Sequence, residues 1–170
     1  MKFFIAIVIA AFFIGCDSGG VAATGAQGYV ARISDDITDV GDAWDLVWSD
    51  DFDGSSVKTE YWKVLDYNGG EWGNGNGERQ YYSPRNVTVA NGNLVLTARS
   101  ERYKTCWYGT CEMTSGKIES SGKYTTKYGK IEARIKVPEG DGMWPAFWML
   151  GEQYGWPKNG EIDIMELRGR

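Results

Sequence analysis

The sequence contains no histidine, and it has only three cysteines and four prolines among 170 residues. Without histidine, Ser-His-Asp and Cys-His nucleophilic catalysis are excluded within this sequence, and so are metal sites with histidine ligands. The glycine-rich stretch 66–77 is not followed by Gly-Lys-Ser/Thr, so the pattern of a phosphate-binding loop is missing. The formal net charge of −5 argues against a nucleic acid or an anionic surface as a partner.

Short alternating segments separated by turn signals make up most of the chain. With no long helical period, this pattern predicts an all-β protein of the β-sandwich class. Asn91-Gly92, between apolar segments at 87–89 and 94–98, predicts a tight β-hairpin. The segment 130–137 alternates apolar and charged residues up to a proline, which predicts a further strand. No internal repeat and no second domain are found in the sequence.

Three carboxylates lie close together near the end of the sequence. On a regular strand Glu161 and Asp163 project from one face and Glu166 from the other. One bulged residue around 164–165 would bring Glu166 back beside the other two. Two acids flanking a sugar linkage are what glycoside hydrolysis requires. A plain charged strand face and a short helix remain alternatives for this run.

Several blocks of the sequence occur in the same order as in the sequences of a known family. The segment 144–151, Trp-Pro-Ala-Phe-Trp-Met-Leu-Gly, precedes the acidic run Glu-Ile-Asp-Ile-Met-Glu, and further blocks lie at 47–54, 80–82 and 128–135. Together they resemble glycoside hydrolase family sixteen, in particular its laminarinase-like endo-β-1,3-glucanases, over roughly residues 44–170. The resemblance implies a jelly roll with a concave substrate cleft and an endo-acting, retaining β-glucan hydrolase that needs no cofactor for its chemistry.

The resemblance also implies roles for individual residues. Glu161 would be the nucleophile and Glu166 the general acid and base, with Asp163 between them tuning which glutamate holds the proton. β-1,3-Glucan (laminarin) is the expected substrate. Another polysaccharide (β-1,3-1,4-glucan, agarose or carrageenan) and a non-catalytic surface glucan-binding protein are the alternatives. Residues expected to contact sugar are Trp144, Trp148, Trp156, Asn76 and Arg99, and plain core packing is an alternative for the tryptophans.

A structural calcium ion is a further implication of the resemblance. In many family members an acidic residue and a main-chain carbonyl from a later turn hold this ion, which corresponds to Asp51 and Gly92 here. A solvated acidic turn is the alternative interpretation of the same residues.

The first fifteen residues have the pattern of a bacterial lipoprotein signal peptide. Lys2 precedes the apolar stretch 3–14, and Gly15 then precedes Cys16, which would carry the lipid. This predicts an outer-membrane or cell-surface lipoprotein, otherwise a periplasmic or secreted protein, with an ordinary cleaved signal as the alternative. Residues 16–42 are expected to be a flexible tether, and 43–170 the hydrolase domain.

Cys106 and Cys111 then remain as an even pair, which predicts a disulfide in an oxidising compartment. A zinc site would need more ligands than the sequence offers. The chain is shorter than the 200–250 residues common for such domains and ends soon after the acidic run. We therefore expect an N-terminal fragment with an incomplete sandwich, derived from a protein that is a monomer.

Overall fold

The computed structural model describes residues 1–11, 29–32, 46–72 and 77–169. Within these ranges the regular structure is almost entirely β, with only two short 3-10 helices, so the predicted all-β class is confirmed. No helix in these ranges is long and apolar enough to cross a membrane. The strands are β1 Phe3–Ala11, β2 Tyr29–Arg32, β3 Lys63–Val64, β4 Tyr67–Asn68, β5 Tyr81–Tyr82, β6 Val87–Val89, β7 Leu94–Leu96, β8 Arg99–Cys106, β9 Gly109–Ser115, β10 Lys117–Glu119, β11 Arg134–Ile135, β12 Met143–Gly151 and β13 Glu161–Glu166; the 3-10 helices are Gly69–Trp72 and Pro84–Asn86.

The strands form three hydrogen-bonded sheets. The first has the order β13-β12-β1-β10-β3, the second β11-β2-β7-β6, and the third β4-β5-β9-β8. Only Gly116 separates β9 from β10, so the third sheet continues directly into the first. A Cβ atom at Gly116 would lie 2.8 Å from the main-chain oxygen of Asn86. The close approach of these two chain segments therefore requires glycine at this position.

The hydrophobic core lies between the first and the second sheet. Alternating residues of the facing strands supply it, as a two-layer β structure demands. Its buried side chains are Ile5, Ile118, Phe147 and Met149 from the first sheet, Val89, Leu94 and Leu96 from the second, and Phe52 and Trp62 from the segment that precedes β3. The predicted sandwich is confirmed.

A buried carboxylate fixes the segment that contributes Phe52 and Trp62 to this core. Asp50 is 1% exposed and accepts hydrogen bonds from the main-chain N–H of Phe52 (3.1 Å) and from Trp62 Nε1 (2.9 Å). The Lys58 ammonium lies 3.2 Å from the same carboxylate. Because a buried charge is stable only when it is paired and hydrogen-bonded, this set holds the turn in one conformation.

The predicted hairpin between β6 and β7 is confirmed. Asn91 and Gly92 both have positive φ, 53° and 69°, as a type I′ turn requires. Ala90 and Asn93 exchange main-chain hydrogen bonds of 2.9 and 3.1 Å across it.

The strand predicted at 130–137 is much shorter in the structure. Only Arg134–Ile135 pair as β11, with Arg32 and Ala31 of β2, and within the described ranges β11 is an edge strand of the second sheet. The predicted face is nevertheless right: the apolar residues that pack against the core are Ile131, Ala133 and Ile135.

The N-terminal residues differ most from the expectation. The predicted signal segment contains β1, which pairs with β12 on one side and with β10 on the other, and Ile5 is buried. A continuous apolar run suits a fully buried strand as well as a signal peptide, which explains the difference. Four residues of the predicted tether form β2, between β11 and β7. This structure contains the uncleaved chain, so the signal peptide stays a prediction; Cys16 lies outside the described residues.

Candidate active site

The acidic run forms the edge strand β13, and its register with β12 contains one bulge. Two pairing segments flank a register shift between Phe147 and Trp148, and Ile164 has no partner on β12. The paired residues are Leu150 with Glu161, Met149 with Ile162, Trp148 with Asp163, Phe147 with Met165, and Ala146 with Glu166. The predicted bulge is confirmed, and the helical alternative for this run is wrong.

The bulge puts all three carboxylates on one face of the sheet. Directly opposite residues of an antiparallel pair share a face, and the acids oppose Leu150, Trp148 and Ala146, which alternate along β12. The intervening residues Phe147 and Met149 are 1% and 5% exposed and point into the core. The core between the two sheets therefore takes the opposite face of β12, while Ala146 and Trp148 on the acid-bearing face pack in a smaller cluster with Tyr82.

Glu161 accepts a hydrogen bond from the loop that precedes β13. Trp156 Nε1 donates a hydrogen bond of 2.7 Å to Glu161 Oε2. Partial burial raises the pKa of Glu161; the Trp156 hydrogen bond opposes this rise, and the charges of Asp163 and Glu166 add to it. Glu161 is partly desolvated beside two other carboxylates, and both conditions favour the neutral form of its carboxyl group.

A half-buried lysine, which was not among the predicted site residues, faces the same side of the sheet. Lys117 Nζ lies 4.9 Å from the ring centroid of Trp148 and 3.0 Å from Tyr67 Oη. Burial lowers the pKa of Lys117, and the charges of Glu78, Glu119 and Glu161 oppose this effect. The signal was present in the sequence: Lys117 precedes the core residue Ile118, so on a strand it projects away from the core.

Glu78 and Tyr82 continue this polar face away from β13. Glu78 Oε2 accepts hydrogen bonds from Tyr82 Oη (2.7 Å) and Gln80 Nε2 (2.9 Å). Tyr82 is buried, and burial together with the neighbouring Glu78 charge raises the pKa of its phenol well above the usual value. Its ring centroid lies 5.5 Å from Lys117 Nζ. The block Gln80-Tyr81-Tyr82, which helped to define the resemblance, thus supplies part of the same face.

The residues predicted to contact sugar lie at different places relative to the three acids. Trp148 and Trp156 adjoin the acids, as described above. Trp144 is half-buried, and the guanidinium of Arg168 lies 4.3 Å from its ring centroid. Arg99 is exposed at the start of β8, the edge strand of the third sheet, and no hydrogen bond or ion pair in the described ranges joins it to β13. Asn76 lies outside the described residues.

The metal and cysteine predictions concern other parts of the molecule. Asp51 is half-buried in the turn beside Asp50, and Gly92 lies in the β6–β7 turn. The described ranges contain no group of three or more acidic or cysteine side chains that could hold a metal ion. Cys106 and Cys111 form a disulfide with a Cα–Cα distance of 5.0 Å at the end of the β8–β9 hairpin.

Known proteins share both the sequence and this arrangement of strands. A family model described as "XgeA-like, catalytic GH16 domain" matches residues 76–169. The chain is 43% identical to a β-glucanase of Rhodothermus marinus over 82% of this chain and 49% of the relative. It is 40% identical to glucan endo-1,3-β-glucosidase A1 of Niallia circulans over 74% of this chain and 20% of that protein.

Among solved structures, the laminarinase catalytic domain of Thermotoga maritima superposes with a TM-score of 0.68 at 47% identity. This match covers 73% of the present chain and 51% of that domain. The chain thus spans about half or less of the length of these relatives. The all-β sandwich and the bulged strand with three carboxylates agree with these matches, which cover most of the described residues. The chain belongs to glycoside hydrolase family 16.

Proposed function

We propose that the full-length protein carrying this sequence is an endo-acting, retaining β-glucan hydrolase that cleaves β-1,3-glucan. The observation that carries the proposal is the bulge in β13, which aligns Glu161, Asp163 and Glu166 on one face. The names of the β-glucanase and laminarinase relatives support the choice of β-1,3-glucan.

In the first step of the proposed reaction, a Glu161 carboxylate oxygen attacks the anomeric carbon and forms a glycosyl ester. The bond from that carbon to the leaving oxygen breaks, and Glu166 gives this oxygen its proton. In the second step, a water oxygen attacks the same carbon and displaces Glu161, while Glu166 takes the water proton. Two inversions at one carbon retain its configuration.

The spacing along the strand fits a retaining reaction only if the two glutamates lean together. Their partners Leu150 and Ala146 are four residues apart on β12, which is about 13 Å of strand. Retaining enzymes hold their carboxyl groups about 5–5.5 Å apart. The charges of Asp163 and Glu166 both act on the pKa of Glu161, which supports a close approach of the side chains.

The test is the release of reducing sugar by the full-length protein from a panel of polysaccharides. Laminarin should be cleaved, and Glu161→Gln and Glu166→Gln should each lower kcat by about 10²-fold or more, whereas Asp163→Asn should lower it less. Cleavage of mixed-linkage glucan, agarose or carrageenan in preference to laminarin would change the assigned substrate. Binding of glucan without any cleavage would favour a non-catalytic glucan-binding protein and refute the proposal.

We also propose that the protein is exported as a lipoprotein anchored through Cys16, on the evidence of the signal pattern at residues 1–16. Cleavage before Cys16 would remove β1 and expose the hydrogen-bonding edges of β12 and β10. We therefore propose that another strand of the full-length protein takes this position after export, since such edges must be paired or covered. Mass spectrometry of the mature N-terminus tests the anchor, with Cys16→Ser as the control that cannot carry lipid.

A structural calcium ion at Asp51 and Gly92 is a separate proposal, supported by the resemblance. Because the described ranges hold no cluster of acidic side chains there, main-chain carbonyls or water would have to supply most of the ligands. The melting temperature should then fall when a chelator is added and recover with calcium. An unchanged melting temperature would refute calcium binding.

A further inference from the structure

We propose that Trp107 is a positioning residue that fixes the main chain at Glu78 and thereby holds the Glu78 carboxylate beside Tyr82 and Lys117 on the acid-bearing face of the sheet. The proposal rests on the proposed function, because it concerns binding of substrate to that face. Trp107 does not itself contact the acids, so its effect must pass through Glu78.

The tip of the β8–β9 hairpin carries Trp107 and Tyr108, and the disulfide between Cys106 and Cys111 closes it. Both cysteines are buried, whereas Trp107 remains partly exposed. A cross-link across so short a loop leaves the tip few conformations. The hairpin can therefore act as a fixed support for whatever its tip contacts.

Both aromatic residues of the tip bind consecutive main-chain carbonyls on a neighbouring segment. Trp107 Nε1 donates a hydrogen bond of 3.0 Å to the carbonyl oxygen of Glu78. Tyr108 Oη donates one of 2.7 Å to the carbonyl oxygen of Arg79. The Arg79 guanidinium lies 4.6 Å from the centroid of the Tyr108 ring, which adds a cation–π contact.

The same indole also packs against Gly70. A Cβ atom at Gly70 would overlap the Trp107 ring, so the contact depends on glycine at this position. The neighbouring Gly69 donates its main-chain N–H to the carbonyl oxygen of Gln80 at 2.8 Å. The Trp107 side chain therefore contacts the main chain at two points on either side of the glycine-rich stretch, Gly70 and Glu78.

Contacts continue from Glu78 to the face that carries the acids. Its carboxylate accepts the Tyr82 hydroxyl at 2.7 Å, and the Tyr82 ring centroid lies 5.5 Å from Lys117 Nζ. Lys117 in turn lies over Trp148, the partner of Asp163 on β12. A shift of the main chain at Glu78 would move the first member of this series of contacts.

The position of the series in the sheet predicts an effect on substrate binding. Lys117 aligns with Val8 on β1, then with Ala146 on β12, and finally with Glu166 on β13. Three strand spacings, about 14 Å, separate the main chain at Lys117 from that at Glu166. The Lys117 side chain lies over Trp148 and is within reach of the Glu161 charge, whereas Glu78 and Tyr82 continue the face away from β13. Sugar units that reach Glu78 and Tyr82 contribute binding energy but take no part in bond breaking. We therefore expect a change in KM for long glucans, with kcat largely preserved.

The experiment compares variants of the full-length protein. Trp107→Phe keeps a ring over Gly70 and removes the N–H donor, Trp107→Ala removes both, and Thr110→Ala is the control at an exposed position of the same hairpin. The KM for laminarin should rise about two- to tenfold in Trp107→Phe and further in Trp107→Ala, as expected for one lost hydrogen bond followed by lost packing. The kcat should stay within about twofold, and KM for a short aryl β-glucoside should not change. Thr110→Ala should match the wild type.

Two results would overturn the proposal: an unchanged KM for laminarin in Trp107→Ala, or equal losses on the long and the short substrate. If the wild type cleaves no glucan at all, the proposed function has failed, and hydrogen exchange of the amides of residues 77–82 decides the positioning role alone. Faster exchange in Trp107→Ala than in Thr110→Ala would support the anchoring of Glu78. Equal exchange would refute it.

Discussion

Replacing Trp156 by phenylalanine tests how the structure controls ionisation of the proposed nucleophile. The indole N–H of Trp156 donates a 2.7 Å hydrogen bond to Glu161 Oε2, and this bond lowers a pKa that burial and the two neighbouring carboxylates raise. Phenylalanine keeps an aromatic ring in the loop and removes only the donor. The pKa of Glu161 should therefore rise further, because its carboxylate loses a partner that favours the charged form.

The size of the effect follows from the contact and its exposure. A hydrogen bond to a charged group contributes about 1.5–3 kcal/mol, but Trp156 is 68% exposed and water can replace the lost donor. A remaining loss of about 1 kcal/mol corresponds to about a fivefold decrease in the ionised fraction at a pH below the titration. Since kcat/KM reports the free enzyme and needs ionised Glu161, it should fall about fivefold on the acidic limb. At higher pH, where Glu161 is ionised in both proteins, the two should agree within about twofold.

The assay is the pH profile of kcat/KM on a soluble laminari-oligosaccharide, measured for the wild type, Trp156→Phe and Trp156→Ala. Tyr154→Phe, at an exposed position of the same loop, is the matched control and should follow the wild-type profile. If the ring also contacts sugar, Trp156→Ala should raise KM at every pH. An acidic limb that stays in place in Trp156→Phe, or moves to lower pH, would refute the reasoning.

Three further predictions follow from the same structure. If Glu161 and Glu166 act by double displacement on one face of β13, NMR of the first product should show the β-anomer, and an initial α-product would exclude this mechanism. Asp50→Ala should lower the free energy of unfolding by about 2–3 kcal/mol in urea titrations, because the Phe52 N–H, the Trp62 indole N–H and the Lys58 ammonium all lose their acceptor. Asp53→Ala is the control: its carboxylate is mostly exposed, so the urea midpoint should stay nearly unchanged. Since folding raises the pKa of Glu161, ionisation of this residue opposes folding, and the wild type loses stability as pH rises above the ordinary value of 4.5. Glu161→Gln should thus have the higher melting temperature near pH 7 and no advantage near pH 3, and a constant difference across this range would contradict the raised pKa.

Local sequence patterns determined the all-β class and the β6–β7 hairpin, and they made a bulge in β13 one of the possible interpretations of the acidic run. Each depends on rules that act over a few residues. Asn-Gly adopts positive φ at both positions of the turn, and strict alternation decides which side chains share a face. Spacing alone put Glu161 and Asp163 on one face and Glu166 on the other, and the bulge that brings the three together was a hypothesis that the register of β12 with β13 confirms.

Tertiary structure decided which groups meet across the sheets. The sequence could not show that Lys117 lies over Trp148, or that an indole at the hairpin tip holds the carbonyl of Glu78, because these contacts join residues about thirty positions apart in the chain. Nor could it show that the pKa of Glu161 is raised, since that depends on burial, on Trp156 and on the neighbouring carboxylates. The apolar segment of β1 has the same local pattern as a signal peptide, and only the unpaired edges of β12 and β10 make it a strand here. Spacing in the sequence determines which face a side chain takes, whereas burial and long-range pairing determine what that side chain meets.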